Sequence, residues 1–149
     1  MKSVEAIPPS NIRQKYVVDS MFGSLARKLR ILGFDSYYAS NLRDEDAIQI
    51  GLDQNRTIIT ADRELFSRTV NKKVRAVLLS SSDDLHNAAT ILKYHHKEIK
   101  FDPSSARCSK CNGILINVSK VMIRNRVIEG VYNNYEVFFE CKGCSKVYW

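Results

Sequence analysis

Two cysteine pairs constrain this chain more than any other feature of its 149 residues. Cys108 and Cys111 form one CxxC motif, Cys141 and Cys144 form a second, and 29 residues separate the two motifs. Four thiolates complete a tetrahedral shell around Zn²⁺ and leave no position for water, so such a site stabilises a fold that lacks a large core. The alternatives are two disulfides or redox-active CxxC motifs. The spacing favours a structural zinc ribbon over residues 106–149.

The composition, with 44% hydrophobic and 26% charged residues, is that of a soluble globular protein. No run of about 18 apolar residues predicts a transmembrane helix, and the N-terminal segment lacks the apolar core of a signal peptide. We therefore expect a cytoplasmic protein whose thiols stay reduced and available for metal. The net charge of +7 favours a polyanionic partner such as nucleic acid, although solvated basic surfaces are also common.

The first hundred residues alternate short apolar runs with helical patterns, which predicts βα units and a parallel sheet flanked by helices. We expect this α/β domain to cover residues 1–103, with a linker at 101–105 before the ribbon. The predicted strands are 16–18, 37–39, 57–60 and 74–79. A helix is expected after each strand, the first ending at Gly33 and the others beginning near residues 44, 63 and 84.

Acidic side chains follow each of the predicted strands, and the carboxyl ends of parallel strands meet at one edge of a sheet. The acids at this edge are Asp19, Asp44, Glu45, Asp62 and Asp83. Crowded carboxylates stay ionised only when a cation lies among them, and oxygen ligands favour Mg²⁺ or Mn²⁺. Taken singly, most of these acids also have a structural explanation, because an acid caps a helix or complements its dipole.

An acidic pocket of this kind predicts a metal-dependent nuclease, in which divalent ions orient water and stabilise the leaving oxygen. Such chemistry needs no catalytic histidine, and we interpret His86, His95 and His96 as surface or packing residues. The chain has neither GxGxxG after the first strand nor GxxxxGK[ST], so a dinucleotide site and a P-loop lack their phosphate cradle.

Basic residues near the predicted pocket are candidate RNA contacts. Three of them, Arg27, Lys28 and Arg30, lie on the helix after Asp19, and Lys110 lies in the ribbon. Phosphate contacts by these side chains would position the RNA. A solvated helix face explains the three helical residues equally well.

Five sequence stretches together resemble one known family. They are DxMxGxLARxLRxLG at 19–33, TxDREL at 60–65, SDD at 82–84, RCxxCNG at 107–113 and CxGCxxVYW at 141–149. The family is the PIN-like ribonuclease family known as the Mut-seven C-terminal domain, and the resemblance extends from about residue 15 to the end. Two positions depart from it: Ala61 and Ser81 stand where the family often has Arg, which removes positive charge near the site.

The resemblance implies a PIN-like α/β fold with a zinc ribbon, and RNA cleavage with Mg²⁺ or Mn²⁺. It implies Asp19, Asp44 or Glu45, and Asp62 as the active-site acids, with Asp83 as a weaker fourth. We therefore predict a ribonuclease whose ribbon assists RNA binding.

The alternative is a non-catalytic module with a vestigial pocket, which docks on RNA, ribosomal RNA or a ribosomal particle through its basic surface. The toxin of a toxin–antitoxin pair fits less well, because such toxins usually lack a ribbon.

Overall fold

The computed structural model of the protein describes residues 15–80, 82–93 and 102–149. Three residues singled out in the sequence, Ser81, His95 and His96, lie outside these ranges. The elements in chain order are β1 (Lys15–Val18), α1 (Gly23–Ile31), β2 (Asp35–Tyr37), α2 (Asp44–Asp53), β3 (Thr57–Thr60), α3 (Arg63–Asn71), β4 (Ala76–Leu78), α4 (Asp84–Lys93), β5 (Leu115–Val118), α5 (Glu129–Asn134), β6 (Phe138–Cys141) and β7 (Val147–Tyr148). None of the described helices is long and apolar enough to cross a bilayer.

The first four strands form one sheet in the order β2-β1-β3-β4, and every neighbouring pair is parallel. Both faces of this sheet are covered, because successive side chains of a strand point to opposite faces. Val18 and Ile59 face the helices α1 and α4, whereas Val17 and Ile58 face α2 and α3. The predicted α/β class with a helix-flanked parallel sheet is confirmed.

The strand β2 lies two residues earlier than predicted, at Asp35–Tyr37 rather than at 37–39. Gly33 ends α1 with φ of +89°, a left-handed conformation that favours glycine. The chain reverses so sharply there that Asp35 already pairs with Lys15 of β1. This tight turn therefore explains why β2 begins earlier than predicted.

The last three strands form a separate antiparallel sheet in the order β5-β6-β7. A 3₁₀ turn at Lys120–Ile123 and the helix α5 lie between β5 and β6. The helix was not predicted, because none of its residues is buried and its sequence carries no apolar stripe.

Candidate active site

The strands β1 and β3 lie side by side at the centre of the parallel sheet, with β2 and β4 on their outer sides. The strand order therefore reverses direction between them, and α/β proteins bind ligands outside the carboxyl ends of strands at such a point. Asp19 directly follows β1, and its backbone N–H continues the ladder by donating to the carbonyl of Ile59 at 2.9 Å. This pairing fixes the backbone of Asp19 against β3.

Thr60, the last residue of β3, links two of the predicted acids. Its buried hydroxyl donates to Oδ2 of Asp19 at 2.6 Å and accepts the backbone N–H of Asp62 at 2.9 Å. One hydroxyl thus orients the Asp19 carboxylate and the turn that carries Asp62. The sequence analysis did not predict this role for Thr60. The TxD motif could have indicated it, because it places the hydroxyl two residues before Asp62.

Two of the predicted acids cap helices, as their structural explanation proposed. Oδ1 of Asp62 accepts the N–H groups of Glu64 and Leu65, at 2.7 and 3.1 Å, at the start of α3. Oδ1 of Asp83 accepts the N–H of Leu85 at 3.0 Å, next to the start of α4. Capping occupies one oxygen of the Asp62 carboxylate in these bonds, so it is compatible with a second role.

Asp44 and Glu45, in the first turn of α2, share one cation. The guanidinium of Arg68 on α3 lies 3.2 Å from Oδ2 of Asp44 and 2.8 Å from Oε1 of Glu45. Burial raises the pKa of Asp44, Arg68 lowers it, and the negative charges of Asp62, Asp19 and Glu45 raise it, with a net upward shift. Asp44 therefore lies within electrostatic reach of Asp19 and Asp62, and we call these three residues the acidic cluster.

The acidic cluster is more open than a closed metal site. Within the described ranges, only the four cysteines bring at least three His, Cys, Asp or Glu ligand atoms to within 4.8 Å of one another. The carboxylates of Asp19, Asp44 and Asp62 nevertheless supply the oxygen donors that suit Mg²⁺ and Mn²⁺. Burial is the main cause of the raised pKa of Asp44, and the negative charges of Asp62 and Asp19 add to it. Repulsion of this kind is what a divalent cation relieves.

Comparison with protein families finds a match that covers nearly the whole chain. The family model described as the Mut7-C RNAse domain matches residues 14–149. The chain belongs to this family. Family membership supports a ribonuclease and makes RNA the expected substrate class. A comparison with curated proteins finds no match.

The four cysteines of this Mut7-C domain form a cluster compatible with a zinc ribbon. The Sγ atoms of Cys108 and Cys144 lie 3.6 Å apart, and those of Cys111 and Cys141 lie 3.4 Å apart. All four thiols are free rather than joined in disulfides. A tetrahedral Zn²⁺ with Zn–S bonds of about 2.3 Å holds its sulfurs about 3.8 Å apart, so this four-cysteine cluster has nearly the size that zinc requires.

The two CxxC turns have the same backbone form. Asn112 and Ser145 follow the second cysteine of each motif with φ of 67° and 58°. Their N–H groups return to the carbonyls of Cys108 and Cys141, at 2.8 and 2.9 Å. A methyl group added to Gly113 would lie 2.7 Å from the Cys141 sulfur, so this position needs glycine. The backbone is therefore shaped around the four sulfurs.

The ionisation of the sulfurs also favours a cation at their centre. Burial raises the pKa of the Cys108 thiol, but hydrogen bonds from the Tyr148 hydroxyl and from the N–H groups of Cys111 and Lys110 outweigh it and lower that pKa to about 6. Loss of hydration and the neighbouring sulfurs raise the pKa of Cys111 to about 12. Four thiolates at this spacing would repel one another, and a bound cation would relieve that repulsion.

Arg30 is a link between the sheet and the first CxxC turn, and its burial corrects the prediction that it contacts RNA. The residue is only 4% exposed. Its Nε donates to the carbonyl of Ser36 at 2.9 Å, and its Nη1 donates to the carbonyls of Ser109 and Lys110 at 2.9 and 3.3 Å. A guanidinium that is buried and donates to three backbone carbonyls is not accessible to a phosphate.

Asn112 and Asp35 complete the contact between the CxxC turn and β2. The side-chain oxygen of Asn112 accepts the N–H of Ser36 at 3.0 Å, and its amide donates to Asp35 at 2.7 Å. Burial raises the pKa of Asp35, but hydrogen bonds from Arg56 and Asn112 and the charges of Arg56 and Arg107 outweigh it and lower that pKa. The ribbon is thus fastened to the sheet by buried and half-buried polar groups.

The other predicted RNA contacts lie at the surface to different degrees. Arg27 and Lys110 are exposed. Lys28 is half-buried, and its ammonium bonds to Ser24 at 2.8 Å and to Asp84 at 3.2 Å. Arg27 and Lys110 keep the access that a phosphate contact requires, whereas Lys28 already has an anionic partner.

Replacing Arg30 by Met is expected to destabilise the protein by about 3 kcal/mol, because buried carbonyls lose a charged donor. Thermal or urea unfolding measures the loss, and amide hydrogen exchange at residues 108–113 should increase. Arg27→Met on the exposed face of the same helix is the control, with a stability change within about 0.5 kcal/mol. Equal stability of the two variants would contradict the assignment of Arg30 as a link.

Proposed function

We propose that this Mut7-C domain is a metal-dependent ribonuclease that hydrolyses RNA phosphodiester bonds at a Mg²⁺ or Mn²⁺ site. The observation that carries the proposal is the acidic cluster of Asp19, Asp44 and Asp62 at the point where the strand order reverses. Glu45 stands beside Asp44, and Asp83 remains a weaker candidate at the start of α4. Family membership supports the ribonuclease interpretation.

The residues have separate roles in this proposal. Asp19, Asp44 and Asp62 hold the cation through carboxylate oxygens, and Thr60 keeps the Asp19 carboxylate in one orientation. The chemistry that a bound Mg²⁺ or Mn²⁺ supplies is a Lewis acid for the phosphate and a water of lowered pKa. Arg27 and Lys110 contact the flanking RNA phosphates and so position the strand.

The ribbon, residues 106–149, holds a structural Zn²⁺ in its four-cysteine cluster and assists RNA binding. This segment has seven basic and three acidic residues. Residues 1–103 form the nuclease domain in this proposal. Arg30 and Asn112 join the ribbon to the nuclease domain. RNA bound by the ribbon is therefore held next to the nuclease domain.

The alternative is a non-catalytic module that docks on RNA or a ribosomal particle. Arg68 favours it, because its guanidinium already balances Asp44 and Glu45 without a metal. A protein whose acids are permanently paired in this way would bind RNA through its basic surface and leave it intact.

The test is the cleavage of end-labelled total RNA by the purified protein with Mg²⁺, with Mn²⁺, or with no added divalent ion. Cuts that depend on the divalent ion support the nuclease. Retained RNA binding without any cleavage would favour the docking module instead.

Thr60→Val is expected to lower cleavage by about tenfold and to raise the Mn²⁺ concentration needed for half-maximal activity. The variant keeps the side-chain shape, but Asp19 loses its donor and the Asp62 N–H loses its acceptor, which costs about 1–3 kcal/mol when the group is buried. Thr60→Ser retains the hydroxyl and should rescue the Mn²⁺ requirement.

Thr57→Val, at the other end of β3, is the matched control. Its hydroxyl is buried and has no hydrogen-bond partner among the described residues, so the same substitution there should leave the Mn²⁺ requirement unchanged. An equal shift in the Thr57 and Thr60 variants would show that Thr60 has no specific positioning role.

A further inference from the structure

A groove of about 670 Å³ lies on the ribbon, between the three-stranded sheet and the segment 102–106. Its lining is largely apolar and contains four aromatic side chains, Tyr135, Phe139, Tyr148 and Trp149. We call it the ribbon groove. It involves none of the acids of the proposed nuclease site.

The floor of the ribbon groove is one face of the sheet. Phe139 of β6 stands directly opposite Tyr148 of β7, so their side chains share that face. The Tyr148 hydroxyl lies 3.0 Å from the Cys108 sulfur, which fixes the plane of its ring next to the four-cysteine cluster. The floor is therefore in direct contact with the four-cysteine cluster.

The rim of the groove exposes apolar surface that nothing in the described residues covers. Tyr135 is 46% exposed, Val137 is 56% exposed and Trp149 is 55% exposed. Large apolar side chains gathered at one exposed place mark a binding surface rather than a folding requirement. The groove thus has aromatic faces available to a ligand.

The cations that can meet an anionic chain stand beside the groove, whose own lining contains two acids and no basic residue. The ammonium of Lys146 lies 5.2 Å from the centre of the Tyr148 ring, beside the groove. Of the two acids in the lining, Glu136 pairs with Lys120 at 2.7 Å. Asp102 accepts the N–H and hydroxyl of Ser104 and keeps its negative charge. The surrounding segment 106–149 is basic, with seven cations against three acids.

We propose that the ribbon groove binds nucleobases of single-stranded RNA. The bases stack on Tyr135 and Trp149, and Lys146 meets a phosphate of the same strand. Single-stranded nucleic acid is held by this combination of aromatic faces and a basic surround. The assignment rests on the proposed function in one respect, which is that RNA is the ligand of this domain.

Trp149 is the only tryptophan of the chain, so its fluorescence reports on the groove alone. The experiment titrates the full-length protein, without added Mg²⁺ or Mn²⁺, with a short oligouridylate and with an abasic ribose-phosphate oligomer of the same length. We expect saturable quenching by the oligouridylate and little quenching by the abasic oligomer. Anisotropy of labelled RNA measures binding in parallel.

Tyr135→Ala is expected to weaken binding of the oligouridylate by about tenfold, as the loss of one stacked base predicts. Tyr132→Ala is the matched control, because that ring lies under Lys120 and Arg124 and is not part of the groove lining. Equal affinities of the two variants would overturn the proposal.

The remaining outcomes also decide the assignment. If RNA binds while Trp149 fluorescence stays unchanged, the RNA binds elsewhere and the assignment is wrong. The assignment is also wrong if quenching rises with protein concentration alone, because a second copy of the chain then occupies the groove. Failure of the nuclease is separate, because it is measured by cleavage with added divalent ion. Base-dependent quenching in a protein that does not cleave RNA retains the groove assignment.

Discussion

Asp19→Asn is expected to reduce divalent-dependent RNA cleavage by at least about 10²-fold, the scale of losing one preorganised electrostatic contact. The substitution removes the negative charge at the carboxyl end of β1 and keeps the shape of the side chain. The Thr60 hydroxyl that donates to Asp19 at 2.6 Å can donate equally to an amide oxygen, so the fold should persist. Initial rates on end-labelled RNA with Mn²⁺ measure the effect.

RNA affinity separates this expectation from simple damage. Because one acid fewer repels the phosphates, Asp19→Asn should bind RNA as tightly as the wild type or more tightly. Asp53→Asn is the control, since Asp53 ends the same helix that begins with Asp44 and bonds there to Gln49. Full cleavage by Asp19→Asn would remove Asp19 from the proposed site, and equal losses in both variants would indicate a non-specific effect.

Loss of one zinc ligand is the second large expected effect. Cys141→Ser should remove the bound Zn²⁺ and unfold the ribbon, because structural zinc contributes about 10–16 kcal/mol to domains of this size. Cys141 is buried where β6 ends and the second CxxC turn begins. A serine there leaves only three thiolates, too few to complete the tetrahedral zinc shell. Zinc content by a colorimetric chelator and the thermal midpoint measure the change.

Ser119→Ala, an exposed position outside the cluster, is the control and should retain zinc and stability. A Cys141→Ser protein with unchanged zinc content and thermal midpoint would contradict the structural zinc site. The parallel sheet is expected to remain folded in part, because its two cores lie on either side of the four-stranded sheet and contain no cysteine.

The sequence predicted those parts of the fold that depend on local pattern. The apolar runs of β1 and β3 and the spacing of the cysteines can each be recognised within a short stretch of sequence. The structure confirms the fold class that they indicated, a parallel α/β sheet with a four-cysteine cluster. The helix α5 was missed because it has no buried side chain to create a periodic signal. The position of β2 was missed by two residues because the chain enters the sheet at Asp35, only two residues after the helix end at Gly33.

Arg30 shows why the site itself was harder to predict. In the sequence it stands beside Arg27 and Lys28 and is indistinguishable from a solvated or RNA-binding cation. Its partners Ser109 and Lys110 lie 79 and 80 residues later, and no periodicity within α1 reveals such a contact. The role of Arg68 has the same origin, because its pairing with Asp44 depends on how α3 lies against α2.

The contact between Asn112 and Ser36 has a consequence for solubility. The strand β2 is the last strand on its side of the parallel sheet, and an uncovered edge strand offers its N–H and C=O groups to the strands of other molecules. Asn112 occupies one of these groups, and it is held in place by the turn that carries Cys108 and Cys111. Loss of the proposed zinc would therefore also uncover the edge of the parallel sheet, so metal-free protein is expected to aggregate through β2.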